Sequence, residues 1–220
     1  MIKPLMVYIY AYQYLNMSGY LRRFIDTYRK FPAGRDHKLL VVINGGYAYD
    51  QDLALINELD CDVVECDNLA FDTGAYRDIA ASDYGKTEAM FCCGATTHFM
   101  KAGWLDRICH VWDQLGPNLY GAIGSHEQRP HIRTATGFLL SPFFLTSYPH
   151  PSIDTERYNF EHGEESLTWW ATILKHKALM VTWDGVYEQH QWPMVKGGFR
   201  EGSQYNLLCY DKHCDRHGYG

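Results

Sequence analysis

Apolar residues in the first half of the chain form short runs that alternate with amphipathic stretches. Runs typical of buried strands cover residues 5–11, 38–43, 62–66 and 88–93. Between them, apolar residues recur at helical spacing within 19–29, and Ser18 stands where this helix needs an N-cap. A short helix is expected over 52–59, and a loop that passes into a helix over 71–82. This alternation predicts an α/β fold, with a doubly wound, mostly parallel sheet flanked by helices.

The second half of the chain is less regular. The pattern predicts a helix over 104–115, a strand over 131–141, a short helix over 142–148 and a late strand over 178–183. A further helix is expected over 163–176, with Glu164, Glu165 and Ser166 in its first turn. The length of 220 residues fits one domain, which we expect over 1–196, followed by a polar, Gly-rich and partly mobile tail over 197–220.

Composition narrows the class of protein. The chain is 46% hydrophobic and 21% charged, as a globular protein is, and its net charge of −6 argues against a nucleic-acid polymer as partner. Seven cysteines without scaffold spacing predict reduced thiols. Because the N-terminus leads straight into a strand and no run is long enough to span a membrane, we expect a cytoplasmic protein without a transmembrane segment.

The loop over 66–78 carries the most chemistry. In a parallel sheet, ligands bind beyond the carboxyl ends of the strands, so this loop should converge with 44–49 and 94–98. Gly74 would let the backbone approach a ligand, Asp72 would accept hydrogen bonds from a ribose or sugar hydroxyl, and Arg77 would face a phosphate. The alternative interpretation is that Asn68 and Asp72 only cap the turn and the helix, while Arg77 is solvated.

The pattern Asn68-x-x-x-Asp72-x-Gly74-Ala75-Tyr76 after the third strand resembles the corresponding loop of GT-A-fold glycosyltransferases, especially the rhamnan-synthesis protein F-like group. Other segments are similar in the same order: Asn44-Gly45 after the second strand, 131–141 as the acceptor-side strand, and 161–168 as the acidic segment that supplies the base in inverting members. The resemblance covers about residues 5–185 and rests mainly on this shared order.

The resemblance implies a GT-A-like, Rossmann-like fold and a glycosyltransferase of the hexosyltransferase type. Such an enzyme moves a sugar from a nucleotide-diphosphate donor to a hydroxyl of a glycan or polysaccharide acceptor, here with inversion. It implies Glu164 or Glu165 as the general base, although both also suit a helix start without any catalytic role. The residues expected to bind the nucleotide sugar are Tyr10, Asn44, Asn68, Asp72, Gly74, Arg77, Gly94, Ala95, Thr96 and His190. His131 and Arg133 are expected on the acceptor side.

One expected motif is missing. GT-A enzymes usually carry Asp-x-Asp after the fourth strand to hold Mg²⁺ or Mn²⁺, but residues 92–98 here read Cys-Cys-Gly-Ala-Thr-Thr-His. Either the enzyme works without a metal, or a metal is held elsewhere, or activity has been lost. No metal ligand or other cofactor is therefore assigned, and the second hypothesis is a catalytically silent nucleotide- or glycan-binding domain of the same fold.

Two further alternatives have less support. A nucleotide-dependent reductase should show Gly-x-Gly-x-x-Gly after the first strand, where residues 10–13 read Tyr-Ala-Tyr-Gln. A zinc site formed by Cys209, His213, Cys214 and His217 would crowd its ligands into the tail without the paired spacing of known zinc fingers.

Overall fold

The computed structural model of the chain describes residues 1–126, 129–149 and 157–217, with the side chains of residues 157, 216 and 217 left aside. The strands are β1 (Leu5–Tyr10), β2 (Lys38–Asn44), β3 (Asp62–Cys66), β4 (Met90–Cys93), β5 (Leu119–Gly121), β6 (Gly124–Ser125), β7 (His131–Ile132), β8 (Phe138–Leu140), β9 (Ala178–Val181) and β10 (Val186–Glu188). The helices are α1 (Met17–Lys30), α2 (Asp50–Ile56), α3 (Phe71–Ala81), α4 (Trp104–Leu115), α5 (Pro142–Thr146), α6 (Arg157–His162) and α7 (Leu167–Ile173).

Eight of these strands form one mixed sheet in the order β10-β9-β5-β8-β4-β1-β2-β3. The pairs β1–β2, β1–β4, β2–β3 and β5–β9 are parallel, whereas β8 is antiparallel to both β4 and β5, and β10 is antiparallel to β9. The predicted α/β class, a mostly parallel sheet flanked by helices, is confirmed. Because β8 runs backwards, its first residue Phe138 lies opposite Cys92, at the edge where β4 ends.

The strand predicted over 131–141 is wrong as a continuous element. Its first part, β7, pairs with β6 in a separate two-stranded sheet, and only β8 enters the main sheet. A turn over 134–136 separates the two parts. The chain therefore changes sheets within a segment that the sequence pattern predicts as one strand.

Two predicted helix starts are also wrong. Asn16, in the left-handed region with φ 63°, precedes α1, and the Ser18 hydroxyl donates instead to Asp52 Oδ2 at 2.8 Å. Ser166 is the N-cap of α7, accepting from the Trp169 backbone N–H at 3.4 Å. Glu164 and Glu165 consequently lie before the helix, because α6 ends at His162 and the chain must turn before α7 begins.

The C-terminal segment packs on the rest of the molecule. Its buried residues include Leu207, Leu208, Cys209, Tyr210 and Cys214. The backbones of His98 and Tyr210 exchange two hydrogen bonds of 2.9 Å, which fasten this segment to the loop after β4. The domain boundary at residue 196 stays a prediction, and 218–220 of the predicted tail lie outside the described residues.

None of the helices in the described part of the chain has the length and apolar character that a membrane crossing requires.

Candidate functional site

Three adjoining cavities form one cleft along the edge of the sheet where the parallel strands end. We call the first, of about 150 Å³, the amide end; it is lined by Ile9, Ala11, Gln13, Tyr14, Asn44, Asn68, Phe71, Asp72 and Ala95. The other two, of about 350 and 480 Å³, form the basic end, whose lining includes Arg133, Arg200 and His213 in both cavities. Asp72 belongs to the amide end and to the first cavity of the basic end, so it marks the junction.

The amide end begins where β2 and β3 end. Asn44 is the last residue of β2 and is fully buried, and its Nδ2 donates to Asn68 Oδ1 at 2.7 Å. Asn44 Oδ1 has no hydrogen-bond partner among the described residues. Since an unsatisfied buried polar atom is costly, this oxygen is an acceptor suited to a ligand donor. The predicted convergence of Asn44, Asn68 and Asp72 is therefore present in the structure.

The start of α3 carries an unusual backbone. Phe71, its first residue, has φ 51°, a region that residues other than glycine rarely occupy. Such strain persists only where the surroundings hold it, and here it accompanies the placement of Phe71 and Asp72 on the cleft wall. The chain thus brings an aromatic ring and a carboxylate side by side to the junction.

The loop after β4 joins the two ends of the cleft. A Cβ on Gly94 would lie 2.2 Å from the Ala135 carbonyl oxygen, so only glycine fits this close approach. The Ala95 carbonyl accepts from the Tyr8 hydroxyl at 2.9 Å, and Ala95 lines the amide end. Thr96, also expected to bind the donor, is buried behind this wall. The loop that lacks the Asp-x-Asp carboxylates is held by backbone contacts.

Arg200 and Asp211 form a buried ion pair at the basic end. The guanidinium Nη2 donates to Asp211 Oδ2 and, at 3.1 Å, to Thr136 Oγ1. Burial raises the pKa of the Asp211 carboxyl, but Arg200, the Thr136 hydroxyl and the His213 backbone N–H outweigh it and lower the pKa overall. Arg200 Nε has no hydrogen-bond partner among the described residues, so the guanidinium keeps one donor unused.

Arg133 and Glu161 form a second pair on the same wall. Arg133 Nη1 lies 3.3 Å from Glu161 Oε1, its Nη2 donates to Ser125 Oγ at 3.2 Å, and Thr134 Oγ1 donates to Glu161 Oε2 at 2.9 Å. Burial raises the pKa of Glu161, yet His162, Arg200, Thr134 and Arg133 lower it overall. Glu161 is therefore a carboxylate and a weak proton acceptor.

The expected acceptor-side residues occupy different depths. Arg133 lines the basic end, whereas His131 is buried behind it, with its Nε2 3.0 Å from His162 Nδ1. Burial, reinforced by the nearby Arg133 and His162, lowers the pKa of His131. The imidazole is therefore neutral at neutral pH.

Glu164 and Glu165 do not line the cleft. Glu164 is 79% exposed and pairs with Arg129 at 2.5 Å, and Glu165 is exposed as well. Glu161, a few positions earlier in the same acidic segment, is the carboxylate that lines the basic end. The sequence indicates this acidic segment, but a helix start at residue 163 favours Glu164 and Glu165 over Glu161, the member that lines the cleft.

Three further residues expected to bind the donor, Tyr10, Gly74 and Arg77, do not line the cleft. Tyr10 is fully buried, and its hydroxyl donates to Asp52 Oδ2 at 2.7 Å. Gly74 is buried within α3 and is absent from the cleft lining. Arg77 Nη2 donates to the Tyr148 carbonyl at 3.3 Å, and its guanidinium lies 5.7 Å from the Tyr148 ring. These contacts use Arg77 to hold α3 against the segment after α5.

His190 follows β10, which runs antiparallel to its neighbour, so it lies at the opposite edge of the sheet. Its side chain is 74% exposed and lines a separate surface cavity beside Glu188. The structure therefore separates His190 from the cleft.

The cysteines are all free thiols. Cys92 and Cys93 are fully buried in β4, and burial raises the pKa of both well above the usual range. Cys209 and Cys214 are buried in the C-terminal segment and join no metal-binding group among the described residues, which include no side chain for His217. The described residues thus offer no support for the tail zinc site.

The sequence gives no indication of Arg200 as a site residue, and it indicates His213 only as a candidate zinc ligand. Both lie in the segment interpreted as a tail, where neither apolar periodicity nor a motif indicates that the chain returns to the sheet edge. Their contribution depends on the packing of Tyr210 against His98, which no local sequence pattern predicts.

No protein-family model matches the chain, and no curated protein matches it by sequence. Distant similarities exist among solved structures. HddC from Yersinia pseudotuberculosis is 11% identical, with a TM-score of 0.45 over 68% of this chain and 81% of HddC. Mouse xyloside xylosyltransferase 1 is 10% identical, with a TM-score of 0.49 over 80% of this chain and 82% of that one. Residues 1–349 of S. aureus TarS are 13% identical, with a TM-score of 0.45 over 65% of this chain and 48% of that one.

Proposed function

We propose that this chain is a glycosyltransferase that binds a nucleotide-diphosphate sugar along the cleft and transfers the sugar to a hydroxyl of a glycan or polysaccharide acceptor. The observation that carries the proposal is the distribution of polar groups along the cleft. Amide groups and Asp72 lie at one end, and two guanidinium groups, together with the carboxylates that pair with them, lie at the other. A nucleotide-diphosphate sugar has the matching polarity, because its nucleoside is neutral and its diphosphate is anionic.

The nucleoside is assigned to the amide end. Tyr14 and Phe71 offer flat faces for a base, and Asn44 Oδ1 offers an acceptor for a base or ribose donor. Asp72, at the junction, is placed to accept hydrogen bonds from ribose or sugar hydroxyls. Amide and carboxylate groups at the carboxyl edge of a sheet are typical of such sites.

The diphosphate is assigned to the basic end. Guanidinium groups bind phosphate oxygens in bidentate fashion, and both Arg133 and Arg200 are already oriented by neighbouring side chains. Two guanidinium groups at this end would stabilise a departing diphosphate without the missing Asp-x-Asp motif. This is how the chain's own residues would replace that motif.

We assign to His213 the role of the general base that removes the proton of the acceptor hydroxyl. This side chain lines both cavities of the basic end, and its charge and that of Asp211 interact. An imidazole is the usual general base near neutral pH, whereas Glu161 has a lowered pKa and Glu164 and Glu165 lie outside the cleft. An inverting outcome stays a prediction from the resemblance.

Nucleotide binding tests the proposal directly. Thermal unfolding would be followed with UDP, GDP, CDP, dTDP and their nucleosides, since a ligand at 100 times its Kd stabilises the folded state by about 2.7 kcal/mol. We expect one diphosphate to raise the Tm. The Arg133→Gln substitution should weaken the binding of that diphosphate and leave the binding of its nucleoside unchanged. The absence of any shift with all four diphosphates contradicts the proposal.

A catalytically silent binding domain is the second candidate, favoured by the missing Asp-x-Asp and by the exposed Glu164 and Glu165. Slow hydrolysis of the bound donor separates the two. Hydrolysis that is lost in His213→Gln, with nucleotide binding retained, supports the enzyme. Binding without hydrolysis or transfer to any acceptor favours the silent domain.

A further inference from the structure

Two histidines and a glutamate meet at the wall of the basic end, where Glu161 and His162 line the cavity and His131 is buried. One ligand atom from each of His131, Glu161 and His162 lies within 4.8 Å of the other two. No second group of this kind occurs among residues 1–126, 129–149 and 157–217. Imidazole nitrogens and a carboxylate oxygen are established ligands of transition-metal ions.

The orientation of His131 is fixed by the backbone. Its Nδ1 lies 2.8 Å from the Arg129 carbonyl oxygen, which can only accept, so Nδ1 carries the proton. The other nitrogen, Nε2, is left with a lone pair that faces His162. A ring N–H held by a carbonyl is the usual support of a metal-binding histidine, because it fixes both tautomer and direction.

The spacing of the two imidazoles suits a shared ion. His131 Nε2 and His162 Nδ1 are 3.0 Å apart, and the rings are nearly perpendicular at 88°. Two nitrogens that each lie about 2.0–2.1 Å from one ion are separated by roughly 3 Å. Glu161 Oε1 lies 3.6 Å from Nε2, the second nitrogen of the His162 ring, so the carboxylate lies beside the same imidazole.

A cation already stands at this position. Arg133 Nη1 is 3.3 Å from Glu161 Oε1 and 3.5 Å from His162 Nδ1, while its Nη2 is held by Ser125. A metal ion and this guanidinium group would therefore compete for the carboxylate. Arg133 also faces the cleft, so its displacement would open the cluster to a ligand there.

We propose that His131, Glu161 and His162 bind one transition-metal dication of the Zn²⁺ or Co²⁺ type, and that the Arg133 guanidinium occupies the position when the ion is not bound. Three protein ligands leave coordination positions that face the basic end, as in metal sites that act on a ligand. Two nitrogen ligands disfavour Mg²⁺ and Ca²⁺, which select oxygen. Metal binding at this site requires no nucleotide, so its test is independent of the test of glycosyl transfer.

The test is a Co²⁺ titration of the full chain after treatment with a chelator, followed by visible absorption. We expect one saturable Co²⁺ per chain with the bands of a nitrogen and oxygen site, bleached by equimolar Zn²⁺ and unchanged by millimolar Mg²⁺. Strong thiolate absorption would place the ion on the cysteines and overturn the proposal, as would binding that does not saturate.

Three variants sharpen the result, each checked for native circular dichroism. His162→Gln should weaken Co²⁺ binding at least tenfold, whereas His190→Gln, at an exposed histidine across the sheet, should leave it unchanged. Arg133→Gln should tighten binding about tenfold, since it removes the competing cation. Equal binding by His162→Gln and the unaltered chain overturns the site, and unchanged affinity in Arg133→Gln overturns the competition.

Discussion

The two ends of the cleft are built in different ways. The amide end uses residues that directly follow parallel strands, so the sheet itself brings Asn44, Asn68 and Ala95 together. The basic end draws Arg133 and Arg200 from irregular segments that reach the sheet edge only through tertiary contacts. The first arrangement follows from regular structure, whereas the second depends on buried ion pairs. Substitutions that remove a charged group should therefore destabilise the basic end far more than the amide end.

The largest expected effect comes from Arg200→Met. Asp211 is 1% exposed, and removing its partner would leave a buried carboxylate uncompensated, at a cost of about 3–5 kcal/mol. Urea unfolding measures the loss. The control is Lys86→Met, which breaks an exposed pair with Asp83 and should cost less than about 1 kcal/mol. Equal losses would mean that charge does not hold the basic end together.

The second-largest expected effect is a loss of stability at the basic end in acid. Burial, reinforced by Arg23, lowers the pKa of His98 to about 4 from the ordinary 6.5. The unfolded chain takes up a proton at His98 below pH 6.5, whereas the folded chain does so only near pH 4. The free energy of unfolding therefore does not depend on His98 above pH 6.5, and it decreases as the pH falls from 6.5 to 4. At about 1.4 kcal/mol per pH unit, the loss is on the order of 3 kcal/mol.

Unfolding free energies measured from pH 7 to pH 4 check this slope. His98→Gln should flatten it, whereas His110→Gln, at an exposed histidine of α4, should not. Because His98 fastens Tyr210, amide exchange in 204–211 should rise before exchange in β1. A rise in β1 first would argue against the basic end as the weaker part.

Gly94→Ala tests the connection between the ends. The added methyl group would overlap the Ala135 carbonyl oxygen, and such overpacking costs about 1–3 kcal/mol. Nucleoside and diphosphate affinities should both fall, since the loop shifts relative to both ends. Chemical denaturation and calorimetry measure these changes. Full stability together with wild-type affinities would show that the two ends are not coupled through this loop.

Asn44→Ala should have the smallest effect. It removes the hydrogen bond to Asn68 and the free Oδ1 acceptor, worth about 1 kcal/mol to a bound nucleoside. Titration calorimetry should show the same loss of affinity, about fivefold, for a nucleoside and its diphosphate. A loss of affinity for the diphosphate alone would indicate that the phosphates bind at the amide end.

The sequence was sufficient for the elements that alternate regularly. The bounds of α4 and β3 agree with the pattern, and the predicted convergence of loops after β2, β3 and β4 is present. The spacing predicted that Asn68 and Asp72 would lie near Asn44, and all three line the amide end, because loop positions of a parallel sheet follow directly from strand ends. The contact of Arg77 with Tyr148 could not be predicted, because the two residues are distant in sequence.

The second half could not be predicted in the same way. The pattern over 131–141 predicts one strand, yet β7 and β8 belong to different sheets, a choice that depends on β6 and β4 as partners. Glu161 and Glu164 are of the same residue type within one short segment, and only packing leaves the side chain of one 12% exposed and that of the other 79% exposed. Tertiary contacts therefore decide which carboxylate reaches the cleft.

The reversed strand β8 also has a consequence for synthesis on the ribosome. Strands β1 to β4 are complete by residue 93, but β4 acquires its second neighbour only when residues 138–140 emerge. Until then, a fully apolar strand of Met, Phe and two Cys presents an unpaired edge. Such edges recruit other chains, so the nascent protein passes through an interval in which chaperone protection matters most.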